Sequence, residues 1–292
     1  MTIAGVVNHA GTLNIQNGPE ETSEANIARN AAMAAMEISG TLNNAGTTNI
    51  TNRAAGGLNV TETGKINSNG LTMLNTGAGG FTLDGVGTNV GEANLTNRAG
   101  AMNIGGTFTN TGNATILNDG TVLNVSGNIT NNTGDLSMVN NGDGGFNITA
   151  TGKVDADGVE MLNTGAGGFH TTGTITNVGN AELTNKAGAM NIGGTFTNTG
   201  DATILNDGTG LNVTGNVTNN NGIKLNFNIS NNASNTKATI EGTLGEKADG
   251  LITFETKNFE KIANIIWGDN TVSSTYNENL YFQTGTCGLF LP

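Results

Sequence analysis

Residues 73 to 121 recur almost letter for letter 88 positions later, and each copy is built from smaller units of about 22 residues. Met73-Leu74-Asn75-Thr76-Gly77-Ala78-Gly79-Gly80-Phe81 is identical to the run from Met161 to Phe169, and Ala99 to Gly112 is identical to Ala187 to Gly200. A unit this short cannot bury a core alone, so its repetition predicts a stacked array in which neighbours complete one another's burial. Composition agrees: 46 glycines and an aromatic content of 4% are too lean for a conventional globular core, whereas a stack needs only a few inward side chains per turn.

Alignment of the units on one asparagine gives Asn17, Asn52, Asn75, Asn97, Asn118, Asn140, Asn163, Asn185 and Asn206, with steps of 21 to 23 residues after the first gap. Ahead of each runs an alternating stretch, such as Leu71-x-Met73-x-Asn75 or Ala114-x-Ile116-x-Asn118, the pattern of a strand with one buried face. A second strand carries pairs such as Leu58 and Val60, Phe81 and Leu83, or Met102 and Ile104. A third carries Leu42, Ile66, Phe108, Ile129, Val154, Ile175, Phe196 and Val217, with asparagine two places on at Asn110, Asn131, Asn177, Asn198 and Asn219. Three strands and three corners per unit predict an all-β parallel β-helix of about ten rungs over residues 5–229.

The asparagines share the phase of the inward aliphatic residues, so two corner columns of buried amides are expected. Stacked at the inter-strand spacing of about 4.8 Å, an amide offers donors and an acceptor to its copies above and below. Gly46, Gly112, Gly134, Gly200 and Gly222 beside them are expected to supply left-handed backbone at the corners. Ten rungs predict a rod on the order of 45–50 Å long.

Two regions interrupt the pattern. Residues 19–36 open with Pro19, Glu20 and Glu21 and continue into an alanine-rich run, a helical insertion at a corner of the first rung. Its Ile27, Ala31 and Ala34 are expected to pack on the rod, or else to form a candidate partner surface. From 230 to 276 the asparagine register gives way to a more charged segment with period-two stretches such as Leu251-Ile252-Thr253-Phe254, expected to form a β-rich cap or separate piece over the open end. Glu278-Asn279-Leu280-Tyr281-Phe282-Gln283 is identical to the core of the tobacco etch virus protease site, so residues 277–292, including the single cysteine Cys287, read as an appended tail.

Chemistry is sparse. His9 and His170 fall on different faces several rungs apart, which leaves neither with a partner for acid–base work. Asp84, Asp119, Asp143, Asp155, Asp157, Asp201 and Asp207 read as solvated turn acids, and the equivalent pair Asp119 and Asp207 lies four rungs, roughly 19 Å, apart, too far to act together. No catalytic, metal or cofactor residue is expected. Outward pairs such as Thr107 and Thr109, Thr174 and Thr176, or Thr195 and Thr197 raise the idea of an ordered-water or ice-binding face, but Lys65, Asn128, Lys153 and Asp155 break that register. A net charge of −12 with 11 basic residues argues against nucleic acid or an anionic membrane as partner. No apolar run is long enough for membrane insertion and no signal peptide follows Met1, so a secreted protein would present this chain as an internal fragment.

The repeated Gly-Thr-φ-Thr-Asn-x-Gly, seen at Gly106 to Gly112 and Gly194 to Gly200, resembles the shaft repeats of filamentous haemagglutinin-like adhesins. It is similar, too, to the large filamentous adhesin and leukotoxin exoproteins of two-partner secretion, over about residues 5 to 229. The resemblance implies a right-handed helix and export, unfolded, through an outer-membrane β-barrel transporter to the bacterial cell surface. It implies a structural rod of an adhesin or contact-dependent effector filament, with a host or neighbouring-cell receptor or glycan as partner and no cofactor. The alternative is a carbohydrate-active β-helix enzyme or glycan-binding module, which predicts a cleft with clustered acids where the rod predicts a smooth wall.

Overall fold

The computed structural model describes residues 1–20 and 23–218 with their side chains. Beyond them it describes only the backbone of Asn219 and of the strands Asn226–Asn231, Ala238–Ile240, Leu244–Glu246, Leu251–Phe254, Phe259–Ile262, Ile265–Trp267 and Asn270–Val272. The chain coils as a parallel β-solenoid. One rung shows the plan: Met102–Ile104 on the first face, Thr107–Asn110 on the second and Ala114–Asn118 on the third. Each strand alternates buried and partly exposed residues, so the period-two pattern read in the sequence becomes an inside and an outside. First-face strands stack into a twelve-stranded sheet. The other two faces share a second sheet because Asn128–Asn140 and Lys153–Asn163 run across the corner without a break.

Stacking is parallel and in register wherever the repeat is regular. Met102 lies opposite Phe81 below and Leu123 above, and Leu95 lies between Met73 and Ile116. Identical local sequence therefore meets identical local sequence, and a one-residue slip would turn every inward side chain outward. The inward columns form one continuous core, from Ile15 and Met36 to Val213 and Val217. Each fully buried Leu, Ile or Phe contributes about 1.5–3 kcal/mol, and neighbouring rungs compensate in size. Gly87 occupies a second-face core position, and a Cβ there would come within 3.1 Å of Phe108 Cδ2, so the ring above uses the space the glycine leaves. On the first face Phe146 and Phe169 meet edge to face, their centroids 5.1 Å apart.

The corner glycines correct part of the sequence reading. Gly112 and Gly134 do have positive φ, +137° and +76°. Gly46 and Gly200 do not; what excludes a side chain there is the rung below, since a Cβ would collide with the carbonyls of Gly11 and Gly179 respectively. Left-handed glycines are more regular at the corner between the third and first faces, at Gly80 and Gly168, where Gly80 N–H and Gly168 N–H close tight turns onto the carbonyls of Gly77 and Gly165. Gly222 lies outside the described residues.

The insertion is a helix, Glu24–Ala32, capped by Ser23, whose Oγ accepts from the Asn26 N–H at 3.3 Å. Its attachment differs from the expectation. Ile27 is 52% exposed, and Ala31 and Ala34 are exposed as well. The one buried helix residue is Asn30, and the C-terminal end of the insertion is tied down through the backbone, with Ala55 N–H donating to the Asn30 carbonyl at 2.8 Å and Asn17 Nδ2 to the Ala34 carbonyl at 3.0 Å. A nine-residue alanine-rich helix has little apolar area to gain by lying on the wall. The rod also starts earlier than expected, since Thr2–Ile3 pairs with Met36–Ile38 on the first face.

In the 230–276 region the described strands go on pairing in parallel, Asn212 with Thr239, Val217 with Leu244 and Phe227 with Ile252, and the final pair, Ile265–Trp267 with Asn270–Val272, is antiparallel. The tail at 277–292 lies outside the described residues.

Candidate functional site: amide columns and outer walls

The first amide column is unbroken over nine asparagines. Asn17 Nδ2 donates to Asn52 Oδ1 at 2.8 Å, and the same bond recurs from Asn52 to Asn75, Asn75 to Asn97 and Asn97 to Asn118, each at 2.8 Å. It continues from Asn118 to Asn140 at 2.7 Å and through Asn163, Asn185 and Asn206 at 2.9 Å. The second N–H of an amide turns back to its own corner, as from Asn75 to the Gly77 carbonyl and from Asn163 to the Gly165 carbonyl, both at 2.8 Å. Asn52, Asn75, Asn97, Asn140, Asn163 and Asn185 thus each satisfy a corner carbonyl and tie one rung to the next. Fully buried amides are sustainable only because of this pairing.

The second column is discontinuous. Asn110 donates to Asn131 at 2.9 Å and Asn177 to Asn198 at 2.7 Å, and Asn198 is in register with Asn219, whose side chain lies outside the described residues. Sequence reasoning missed Asn44 and Asn89. Asn89 donates to Asn110 at 2.8 Å, and Asn44 donates to the carbonyls of Gly11 and Thr47. Asn89 was concealed by Gly87, a core position without an apolar side chain to mark it. Ser68 and Ala156 interrupt the column, and the atoms left over are Asn89 Oδ1 and Asn177 Oδ1, both buried without a partner. The side below each break fares better: Asn131 Nδ2 turns to the carbonyls of Thr133 and Gly134.

A third amide array, outward on the first face, was not foreseen. Asn147 donates to Asn124 and Asn124 to Asn103, both at 2.9 Å, and Asn212 donates to Asn191 at 2.8 Å. The φ-Asn-φ triplets Met102-Asn103-Ile104, Leu123-Asn124-Val125 and Phe146-Asn147-Ile148 carry the signal. His170 fills the rung between Asn147 and Asn191, its Nδ1 2.7 Å from Asn191 Nδ2 and its Nε2 2.8 Å from the Gly167 carbonyl. His9 sits on the second-face corner, Nδ1 3.3 Å from Asn44 Oδ1. The two histidines are on different faces, as expected. Asp119 is exposed and accepts from Asn141 Nδ2 at 2.8 Å, and Asp207 is exposed four rungs above. Threonine columns on the second face run as Thr88, Thr109 and Thr130 and again as Thr176, Thr197 and Thr218, parted by Asp155.

Where the second face turns into the third, rungs six to nine, counted by third-face strands from Leu13–Asn17 and ending at Asn140, Asn163, Asn185 and Asn206, carry a shallow groove of about 360 Å³ lined by Asp135, Ser137, Glu160, Asn180, Glu182 and Asp201 among others. Gly158 leaves room for the Asp135 carboxylate, with which a Cβ at that position would collide. Glu160 and Glu182 are directly opposite in register, in a column that runs from Ser137 to Thr203. Among the described residues no group of three or more His, Cys, Asp or Glu side chains could hold a metal ion. No described helix is long and apolar enough to cross a membrane. No family model, curated protein or solved structure matches this chain.

Proposed function

We propose that this chain is a structural rod, the β-helical shaft of a secreted bacterial surface adhesin or contact-dependent effector filament, which holds binding regions away from the cell and performs no catalysis in this segment. The observation that carries the reading is the uninterrupted amide column from Asn17 to Asn206, which fixes rung to rung at one corner over nearly the whole described length. Reach grows by about 4.8 Å for each unit of about 22 residues, so length is set by copy number rather than by a special sequence. The resemblance of the Gly-Thr-φ-Thr-Asn-x-Gly units to adhesin shafts supplies the biological setting: an outer-membrane transporter for export, and a receptor or glycan met by other parts of the protein. Folding rung on rung outside the cell would then help to draw the chain outward.

Deletion of residues 73–160 joins Thr72 to Met161 and recreates the local sequence Thr72-Met73-Leu74-Asn75, so four rungs are removed without a scar. Small-angle scattering should show a rod shorter by roughly 19 Å with the circular dichroism per residue retained. Collapse of the shortened chain would refute the additive rod. For the secretion reading, antibody raised against the chain should label intact producing cells, and a wholly internal pool would refute it.

The acid-lined groove favours a second reading, a carbohydrate-active site using Glu160 and Glu182. Loss of viscosity of a polysaccharide solution on incubation with the chain, abolished by Glu160→Gln, would replace the rod reading with this one.

A further inference from the structure

One wall departs from the polar norm of the others. On the outside of the third face Leu74, Leu117, Val139, Leu162 and Leu205 stand in one register column, each partly exposed; below Leu74 the column holds Gln16 and Thr51, and between the aliphatic residues it holds Thr96 and Thr184, the latter buried and donating from Oγ1 to Glu182 Oε1 at 3.1 Å. Two residues earlier on the same strands, roughly 7 Å away, runs the column containing Glu160 and Glu182, and the corner beyond it carries Asp135 and Asp201.

The 88-residue offset between the two super-repeats allows an internal comparison. Positions 88 residues earlier occupy the same face and the same place in the rung, yet there Asp135, Glu160, Glu182 and Asp201 are replaced by Thr47, Thr72, Asn94 and Asn113, while Glu92 stands in place of Asn180, so the first copy carries one acid where the second carries four. The third-face strands pair in the same register in both copies, although the corner before them is continuous strand only in the second, so the pairing does not require acids at these four positions. Directly opposed glutamates in adjacent parallel strands repel one another, and a feature that opposes stability where the neutral alternative is present in the same chain points to a role outside folding.

We propose that the outer wall of the third face over rungs six to nine docks a cationic amphipathic polypeptide segment, its lysine or arginine side chains over Asp135, Glu160, Glu182 and Asp201 and its aliphatic side chains along Val139, Leu162 and Leu205. Charge complementarity selects this occupant. A second copy of the chain, at net charge −12, would set acid against acid. The described outer side of the third face carries no aromatic ring, the platform on which a sugar would stack. The inference goes beyond the rod reading and stands whether or not the rod belongs to an adhesin.

The test is fluorescence anisotropy of the intact chain with two labelled decapeptides, one alternating leucine with lysine and one alternating serine with lysine. The leucine–lysine peptide should bind at least tenfold more tightly. Replacement by the first-copy residues, Asp135→Thr, Glu160→Thr, Glu182→Asn and Asp201→Asn together, should weaken binding at least tenfold. So should Val139→Thr with Leu162→Thr, because threonine already occupies that column at Thr96 and Thr184. The reciprocal graft, Thr47→Asp, Thr72→Glu, Asn94→Glu and Asn113→Asp with Thr51→Val to restore the aliphatic strip, should raise the stoichiometry from one peptide to two, a gain that misfolding cannot mimic. Equal binding of both peptides, or binding unchanged in the four-residue variant, would overturn the proposal. Self-association of the chain that the four substitutions abolish would overturn it too, by assigning the wall to a second copy.

Discussion

The two interior amide columns are made of the same residue at the same spacing, yet one is continuous and the other is broken twice. In the first, every Oδ1 from Asn52 to Asn206 receives an N–H from the rung below. In the second, Ser68 and Ala156 each leave one acceptor stranded above the break, Asn89 Oδ1 and Asn177 Oδ1, while the amide below finds corner carbonyls instead. The ladder therefore has a direction. An interruption harms the rung above it, because carbonyl acceptors are plentiful at a glycine-rich corner and spare N–H donors are not.

The largest test of that comparison is Asn118→Ala in the middle of the continuous column. It removes the acceptor of Asn97 and the donor of Asn140 at once, and should cost about 2–4 kcal/mol as two buried groups lose partners. A fall in the urea midpoint equivalent to less than about 1 kcal/mol would mean that the column is not a main support. Asn131→Ala, beside an existing break, has only Asn110 as a ladder partner and should cost about 1–2 kcal/mol by the same measurement. Repair should run the other way: Ala156→Asn offers a donor to Asn177 Oδ1 and an acceptor to Asn131, and should raise stability by about 0.5–1.5 kcal/mol. Destabilisation there would show that Ala156, 3% exposed, is held too tightly to admit an amide. The smallest effect is expected outside. Asn124→Ala interrupts an amide ladder that water can replace, and should shift stability by under about 0.5 kcal/mol; a loss equal to that of Asn118→Ala would erase the distinction between inner and outer amides.

The insertion shows a different limit. A helix was legible in its proline, acids and alanines, but its docking was not, because apolar letters at helical spacing say which residues could pack and not whether a wall is within reach. Asn30, buried and bonded through Nδ2 to the Pro19 carbonyl at 3.0 Å, gave no such signal among the many asparagines of the chain. Gly87 hid Asn89 in the same way, since a core position filled by a neighbouring ring leaves no apolar letter to count.

The acidic corner illustrates the same division. Asp135, Glu160, Glu182 and Asp201 are scattered over 67 positions of sequence (135 to 201, both ends included) and become neighbours only because rungs stack them. Each alone reads as a solvated turn or strand residue.

The repeat by itself determined the three-faced coil, the inward phase of the aliphatic residues and the existence of an amide column, because identical units that cannot bury a core singly have one way to bury it together. Tertiary structure alone decided which column is continuous, which glycines are held by a neighbouring carbonyl rather than by φ, and which charges meet on one wall. Those depend on what lies about 4.8 Å above or below a residue, a relation that a linear sequence records some 22 positions away and that every insertion, bulge or substitution can shift.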